Sequence, residues 1–315
     1  MGAMARDAAL PPALTGERRD LGSIAGRLSY YIAGPPRAGG SIPLLLLHSI
    51  NAAGSAYEVK PLFERYQARR VVYALELPGF GFSDRSDRRY RARLMTDAIH
   101  AMVKEIRQLH GQTMIDALAV SLSSEFLARA ASEEPNVFRS LALVSPTGFD
   151  RRAPYTGATG STRGNAALYA ALNVPLWRDG VFRLLTSRVS IRYFLEKTWG
   201  SKEIDEGLLN YDYLTTHQPG AYHAPYDFVS GFLFSGDISN IYDALKLPIW
   251  MSHGVRGDFT DYSWKGNVER KSNWVVNEFP TGALSYFEMT GLFVQRYETF
   301  LERVAAVRAG RQERL

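Results

Sequence analysis

The chain of 315 residues contains no cysteine. That absence excludes disulfides, thiolate nucleophiles and cysteine-ligated metal sites together, and it leaves the redox compartment open. Long apolar runs are missing as well: stretches such as Pro43 to Leu47 fall far short of the roughly 20 residues that a membrane helix needs, so no bilayer span is expected. The start, Met1-Gly2-Ala3-Met4, carries no apolar signal core, which makes a cytoplasmic protein the expectation. Acidic excess is lacking too, and the net charge is +5. The densest basic stretch (Arg85, Arg88, Arg89, Arg91, Arg93) is interleaved with Asp84 and Asp87, and a second lies at Arg303, Arg308, Arg311 and Arg314. Apart from Tyr90 between Arg89 and Arg91 neither has aromatic interleaving, and neither has a nucleic-acid reader motif, so both read as solvated faces and no nucleic-acid partner is expected.

What is present is an apolar content of 46% and an aromatic content of 12%, enough for a real core. Residues 1 to 20 mix Ala, Pro, Gly and charge without periodicity and read as a loose arm. Leu28 to Ala33 reads as a strand, Gly34 to Gly40 as a turn and Pro43 to Leu47 as a fully buried strand. Tyr57, Val59, Leu62, Phe63 and Tyr66 then share a helical face, and Arg70 to Leu77 returns as a strand. A helical stripe from Met95 to Leu109, a strand from Met114 to Val120, a helix from Leu122 to Ala131 and a strand from Leu141 to Val144 continue the alternation. Such alternation predicts a mostly parallel, doubly wound α/β sheet covered on both faces.

From Gly148 to Ala244 the pattern becomes irregularly helical and rich in aromatics, among them Trp177, Phe182, Tyr193, Phe194, Trp199, Tyr211 and Tyr226. This segment reads as an inserted helical cap whose aromatics form its own core. Strands at Leu247 to Ser252 and Trp274 to Phe279 and a final helix through Leu292 to Val304 complete the sheet domain. The expected organisation is an arm over 1–20, a sheet domain over 21–147 and 245–315, and a cap over 148–244.

Ligands of such sheets meet the loops at the carboxyl ends of the strands. Four loops stand out: Leu47-His48-Ser49-Ile50-Asn51, Glu76 to Asp84 with Pro78-Gly79-Phe80-Gly81-Phe82-Ser83, Ala119-Val120-Ser121-Leu122-Ser123, and His253-Gly254-Val255-Arg256-Gly257-Asp258. In this order and at these spacings the chain, from about residue 25 to 305, resembles the α/β-hydrolase superfamily in the branch with an inserted helical cap. The resemblance implies a nucleophile at Ser121, on a sharp strand-to-helix turn flanked by the small residues Ala119 and Ser123. A serine that merely caps the following helix is the alternative. The oxyanion donors it implies are the main-chain N–H groups of Leu122 and Ile50. Here Ser49 stands where the family usually has glycine, so its side chain is expected to reshape the hole or reach into it, and His48 is expected at the pocket edge. Asp258 matches the acid that orients the histidine, with Asp261 as its neighbour in reserve.

The histidine itself is absent. The matching segment is Thr281-Gly282-Ala283-Leu284-Ser285-Tyr286-Phe287-Glu288, with Ala283 at the histidine position, and no histidine follows His253. Shifting the match by three places Tyr286 there, and a tyrosine with a pKa near 10 is a poor base. Three accounts stay open: an alanine introduced to trap a complex, a histidine supplied by another loop, or a pocket for binding or non-hydrolytic chemistry. His253 is the best substitute, with His48, His217 and His223 behind it; a metal site at the last two lacks a carboxylate at suitable spacing, and no metal or cofactor is expected. Two functions follow: action on a small, largely apolar ester, thioester or acyl-type substrate through Ser121, or a catalytically silent relative that binds a hydrophobic small molecule or a protein partner.

Overall fold

A computed structural model describes residues 9–35, 42–150 and 154–312. Met1 to Met4, most of the turn read at Gly34 to Gly40, and Arg314 lie outside the described residues. Eight strands form one sheet: β1 (Glu17–Ser23), β2 (Gly26–Ala33), β3 (Leu44–Leu47), β4 (Val72–Glu76), β5 (Ile115–Val120), β6 (Phe138–Val144), β7 (Ile249–Gly254) and β8 (Trp274–Phe279). Their spatial order is β1-β2-β4-β3-β5-β6-β7-β8. The pairs β1/β2 and β2/β4 are antiparallel, and every later pair is parallel.

The central strands are apolar on both faces because helices cover both. In β3, Leu45 and Leu47 enter one core layer and Leu44 and Leu46 the other. Strands β5 and β6 divide in the same way, with Ala117, Ala119, Leu141 and Leu143 on the first side and Leu118, Val120, Ala142 and Val144 on the second. The first layer is closed by α2 (Ala92–His110) and α3 (Ser123–Glu133), the second by α1 (Lys60–Tyr66) and the long C-terminal helix (Thr290–Gln312). The face read from Tyr57 to Tyr66 is divided between a single 3-10 turn (Ala56–Val59) and α1, which has Pro61 in its first turn.

The N-terminal reading is corrected. Strand β1 begins at Glu17, and Leu10, Ala13 and Leu14 before it are buried in the second core layer. The Ala13 N–H donates to the Tyr31 hydroxyl at 2.9 Å, and the Tyr211 hydroxyl donates to the Pro11 carbonyl at 2.9 Å. The signal was hidden because β1 is an edge strand with charged residues on both sides of its pleat. Its place is set by pairing with β2, from Glu17 opposite Ile32 to Ser23 opposite Gly26.

Among the described residues, six helices lie between β6 and β7: α4 (Ala166–Leu172), α5 (Arg178–Leu185), α6 (Arg188–Trp199), α7 (Glu206–Thr216), α8 (His223–Val229) and α9 (Ile238–Ala244). The aromatics of this segment do not form one shared core. Trp199 and Tyr211 are buried in the second layer of the sheet domain, while Phe182 and Tyr226 make a small cluster of their own. Trp177, Tyr193 and Phe194 are exposed. The reason is geometric: α6 and α7 lie against the sheet domain, whereas α4 buries no residue and α5 only Phe182. Buried polar contacts also tie the insert down. Glu125 on α3 accepts from the Ser235 N–H at 2.7 Å and from Arg163 at 2.9 Å, and Arg129 pairs with Asp237 at 2.6 Å.

Candidate active site

Strand β5 ends at Val120, and α3 begins at Ser123. Between them Ser121 has φ 53°, the left-handed region that a side chain other than glycine's adopts at a cost. The turn is held in place by the Ser121 N–H, which donates to the Val144 carbonyl of β6 at 2.8 Å. Ser121 does not cap α3: the cap position is Leu122, and no side chain bonds there. Its side chain is half-buried, and its hydroxyl has no hydrogen-bond partner among the described residues. Ser123 does more than stay small. Its hydroxyl donates to the His48 carbonyl at 2.5 Å, joining this turn to the loop after β3.

That loop carries Ile50, which is buried. Neither the Ile50 nor the Leu122 N–H donates to a protein acceptor among the described residues. The loop is fixed from behind. Buried Glu58 accepts from the Ser49 N–H at 2.6 Å, the Ser49 hydroxyl at 2.9 Å and the Asn51 amide at 2.7 Å. Ser49 therefore anchors the loop through Glu58, and its hydroxyl is committed to that carboxylate. His48 is fully buried; its Nδ1–H donates to the Ser49 carbonyl at 2.6 Å, and its Nε2 accepts from the Leu77 N–H at 3.0 Å. Burial lowers its pKa to about 4, so it is a neutral strut between the β3 and β4 loops.

Burial pushes the Glu58 pKa up, against the hydrogen bonds from Ser49 and Asn51. Asp212 on α7 is pushed well above the usual carboxylate range, first by burial and then by the charges of Glu58 and Asp205. In the Pro78 to Ser83 loop, Gly81 has φ 51°, and a Cβ there would overlap the Glu76 carboxyl. Burial raises Glu76 to about 7, and its Oε2 accepts from the Phe82 N–H at 2.6 Å.

None of the six histidines hydrogen-bonds to Ser121. His253 is buried: its Nδ1–H donates to the Gly254 carbonyl at 2.9 Å, its Nε2 faces the Lys265 ammonium at 3.3 Å, and its ring stacks on Tyr262. Its basic nitrogen thus already has a donor, and burial lowers its pKa. His217 donates to the Tyr213 carbonyl at 2.7 Å, and His223 faces Asp87 at 3.4 Å. His100 faces Glu133, and His110 faces the Tyr73 hydroxyl. Asp258 is exposed and pairs with Lys197 at 3.1 Å, so it orients no imidazole. Asp258 and His253 both line an open pocket of about 460 Å³ beside Asp261, Tyr262, Lys265 and Glu278, and Ser121 is not part of that lining.

Ala283 is buried, with its N–H on the Thr198 carbonyl at 2.9 Å. Its own carbonyl accepts from the Ser145 hydroxyl at 2.6 Å. Tyr286 is fully buried; its hydroxyl donates to the Glu58 carbonyl at 2.8 Å, and burial drives its pKa far up, which removes it as a base. The structure thus brings Ser121, Leu122, Ile50, His48 and Ser49 into one linked turn-and-loop assembly and gives His253 and Asp258 other partners. Sequence reasoning missed Glu58, Ser123 as a tether, and Ser145. A carboxylate within the otherwise apolar stretch from Ala56 to Val59 was a legible signal for the first.

The sequence profile of the alpha/beta hydrolase fold matches residues 42–194. No curated protein sequence matches the chain. Among solved structures, a probable hydrolytic enzyme from Pseudomonas aeruginosa PAO1 superposes with a TM-score of 0.69 at 18% identity, covering 93% of this chain and 96% of that one. The enol-lactonase from Burkholderia xenovorans LB400 gives 0.68 at 12% identity, with 90% and 100% covered. Carboxylesterase CesB from Bacillus subtilis gives 0.64 at 15%, with 93% of each chain covered. These identities speak to fold alone. With the mostly parallel eight-stranded sheet, the profile match and these neighbours in agreement, the chain has the α/β-hydrolase fold.

Proposed function

We propose that this protein acts on a small, largely apolar ester, thioester or acyl-type substrate through Ser121, beneath a helical cap formed by residues 148–244. The observation that carries this reading is the strained φ of Ser121 beside two undonated amides, Leu122 and Ile50. Backbone strain in a serine persists only where its surroundings hold it, and it gathers where function needs it. In the proposed step the Ser121 oxygen attacks the acyl carbon, the carbonyl oxygen takes up the electron pair, and the Leu122 and Ile50 N–H groups stabilise it. The serine proton passes to water, since no histidine accepts it. Collapse of the adduct expels the alcohol or thiol, which takes a proton from water, and a second water then cleaves the acyl–Ser121 ester to release the acid and restore the serine. Loss of one member of such a triad leaves roughly 10³–10⁴-fold catalysis over water from binding and the oxyanion hole, so slow turnover is expected. The chemistry calls for no cofactor.

The hydrolases among the structural neighbours support the reaction class. A second reading, a silent relative that binds a hydrophobic small molecule or a protein partner, is favoured by the unpartnered Ser121 hydroxyl and the engagement of all six histidines elsewhere. A fluorophosphonate probe separates the two. Labelling that is lost in Ser121→Ala supports the first; absence of labelling across the pH range overturns it.

A further inference from the structure

Helices α4 to α6 carry exposed apolar residues together with an excess of positive charge. Leu176 is 87% exposed, Leu184 73% and Val189 82%, with Trp177 also exposed. Scattered single apolar residues on a surface need no explanation; four within fourteen residues, at the two ends of α5 and the start of α6, form a cluster. Trp177 and Leu184 are seven residues apart and so share a face of α5. Residues 166–202 contain six Lys or Arg and two Asp or Glu. Arg178, Arg192 and Lys197 pair with Asp179, Glu206 and Asp258, and Arg183, Arg188 and Lys202 have no carboxylate partner among the described residues. Arg183 and Arg188 are exposed between these apolar residues. The layer also lacks a deep core: α4 buries no side chain, and α5 only one.

We infer that this face docks on an anionic lipid surface. Protruding Leu, Val and Trp side chains insert among acyl chains, and the surrounding arginines meet the lipid headgroups, the combination that holds an amphipathic helix in a bilayer interface. A second copy of the chain is the poorer occupant, since pairing this face with itself opposes two surfaces of like charge. A nucleic acid would satisfy the arginines and leave Leu176, Leu184 and Val189 against phosphates. Among the described residues no helix is long and apolar enough to cross a membrane, so the mode is docking on the surface. This inference is independent of any chemistry at Ser121.

Co-sedimentation with vesicles tests it, using phosphatidylcholine alone and a phosphatidylcholine–phosphatidylglycerol mixture, each at low and high salt. The protein is expected to bind the anionic vesicles and to release as salt rises. At about 1 kcal/mol per basic residue near the surface, Arg183→Ser with Arg188→Ser weakens partitioning by roughly 30-fold. Leu176→Ser with Leu184→Ser and Val189→Ser weakens it comparably. All these residues are exposed, so the variants should keep the thermal melt of the unaltered chain. In the unaltered chain, anionic vesicles shift tryptophan emission to the blue, and Trp177→Phe removes that shift. Failure to bind anionic vesicles at low salt overturns the inference, as does binding indifferent to both sets of substitutions. A halved solution mass in the apolar variant by light scattering would assign the face to a second copy and likewise overturn it.

Discussion

The Ser145 hydroxyl donates a hydrogen bond to the Ala283 carbonyl at 2.6 Å, so the residue after β6 holds the turn that the family resemblance assigns to the catalytic histidine. Ser145 itself has φ 46°, the only described non-glycine residue besides Ser121 with positive φ, and its N–H donates to the Ser252 carbonyl at 2.7 Å. Two strained serines thus stand at the ends of neighbouring strands, one at the turn proposed to carry the nucleophile and one bracing the turn that carries Ala283.

If that turn still faces Ser121, Ala283→His should supply a base. The expected result is at least a tenfold faster fluorophosphonate labelling of Ser121, with a pH dependence that follows an imidazole near its ordinary pKa of about 6.5. Full restoration is not expected, because Asp258 is committed to Lys197. An unchanged labelling rate in a folded variant would show that residue 283 does not address Ser121.

Strain at Ser121 predicts different stability effects for two small substitutions. Ser121→Gly relieves the left-handed φ and should stabilise by about 0.5 to 1 kcal/mol in urea unfolding, whereas Ser121→Ala keeps the strain and gains nothing. Equal effects of the two would mean that the turn relaxes without the hydroxyl.

On the proposed function, Glu58 acts as a positioning residue. Glu58→Ala strips acceptors from the Ser49 N–H, the Ser49 hydroxyl and the Asn51 amide. A loss of about 3 kcal/mol in unfolding free energy is expected from stranding these buried donors. Labelling of Ser121, measured where the variant is fully folded, should slow as well, because Ile50 is no longer held. A destabilised variant that labels at the normal rate would separate the loop from the oxyanion hole.

Buried Glu76 makes stability fall as pH rises. Its folded pKa is raised to about 7 by burial, so its contribution is complete below the unfolded value and is lost as pH climbs through the folded one. With an unfolded value near 4.3 the window spans roughly pH 4 to 7, and the shift corresponds to about 4 kcal/mol. Glu76→Gln should therefore gain in melting temperature relative to the unaltered chain on going from about pH 5 to about pH 8. Parallel pH profiles for the two would show that Glu76 ionises freely.

Asp116 works in the other direction. Burial opposes its charge, but hydrogen bonding and attraction from Arg139, with Arg70 at 2.6 Å, hold its pKa below the usual range. The stability it contributes is present above the unfolded value of about 3.9 and is lost as pH falls. Arg139→Ala should move the acid-unfolding midpoint to higher pH and cost about 3 kcal/mol near neutrality. An unmoved midpoint would count against the pair.

The sequence alone determined the central sheet, because β3, β5 and β6 are short apolar runs that only burial on both faces satisfies. It also determined the strand-to-helix turn at Ser121 and the absence of histidine from the last loops, since those depend on local spacing and residue identity. Strand β1 was beyond it, as a charged edge strand carries no periodic signal and is selected by its partner. Only the tertiary structure decided that Ser49 bonds to Glu58, that His48 is a strut, and that His253 and Asp258 answer to Lys265 and Lys197. Such choices rest on which side chains fold brings within about 3 Å of one another, a distance that spacing along a chain does not encode. The exposed apolar face of α4 to α6 was hidden for the same reason: an aromatic or a leucine reads alike in sequence whether it ends inside a core or on its surface.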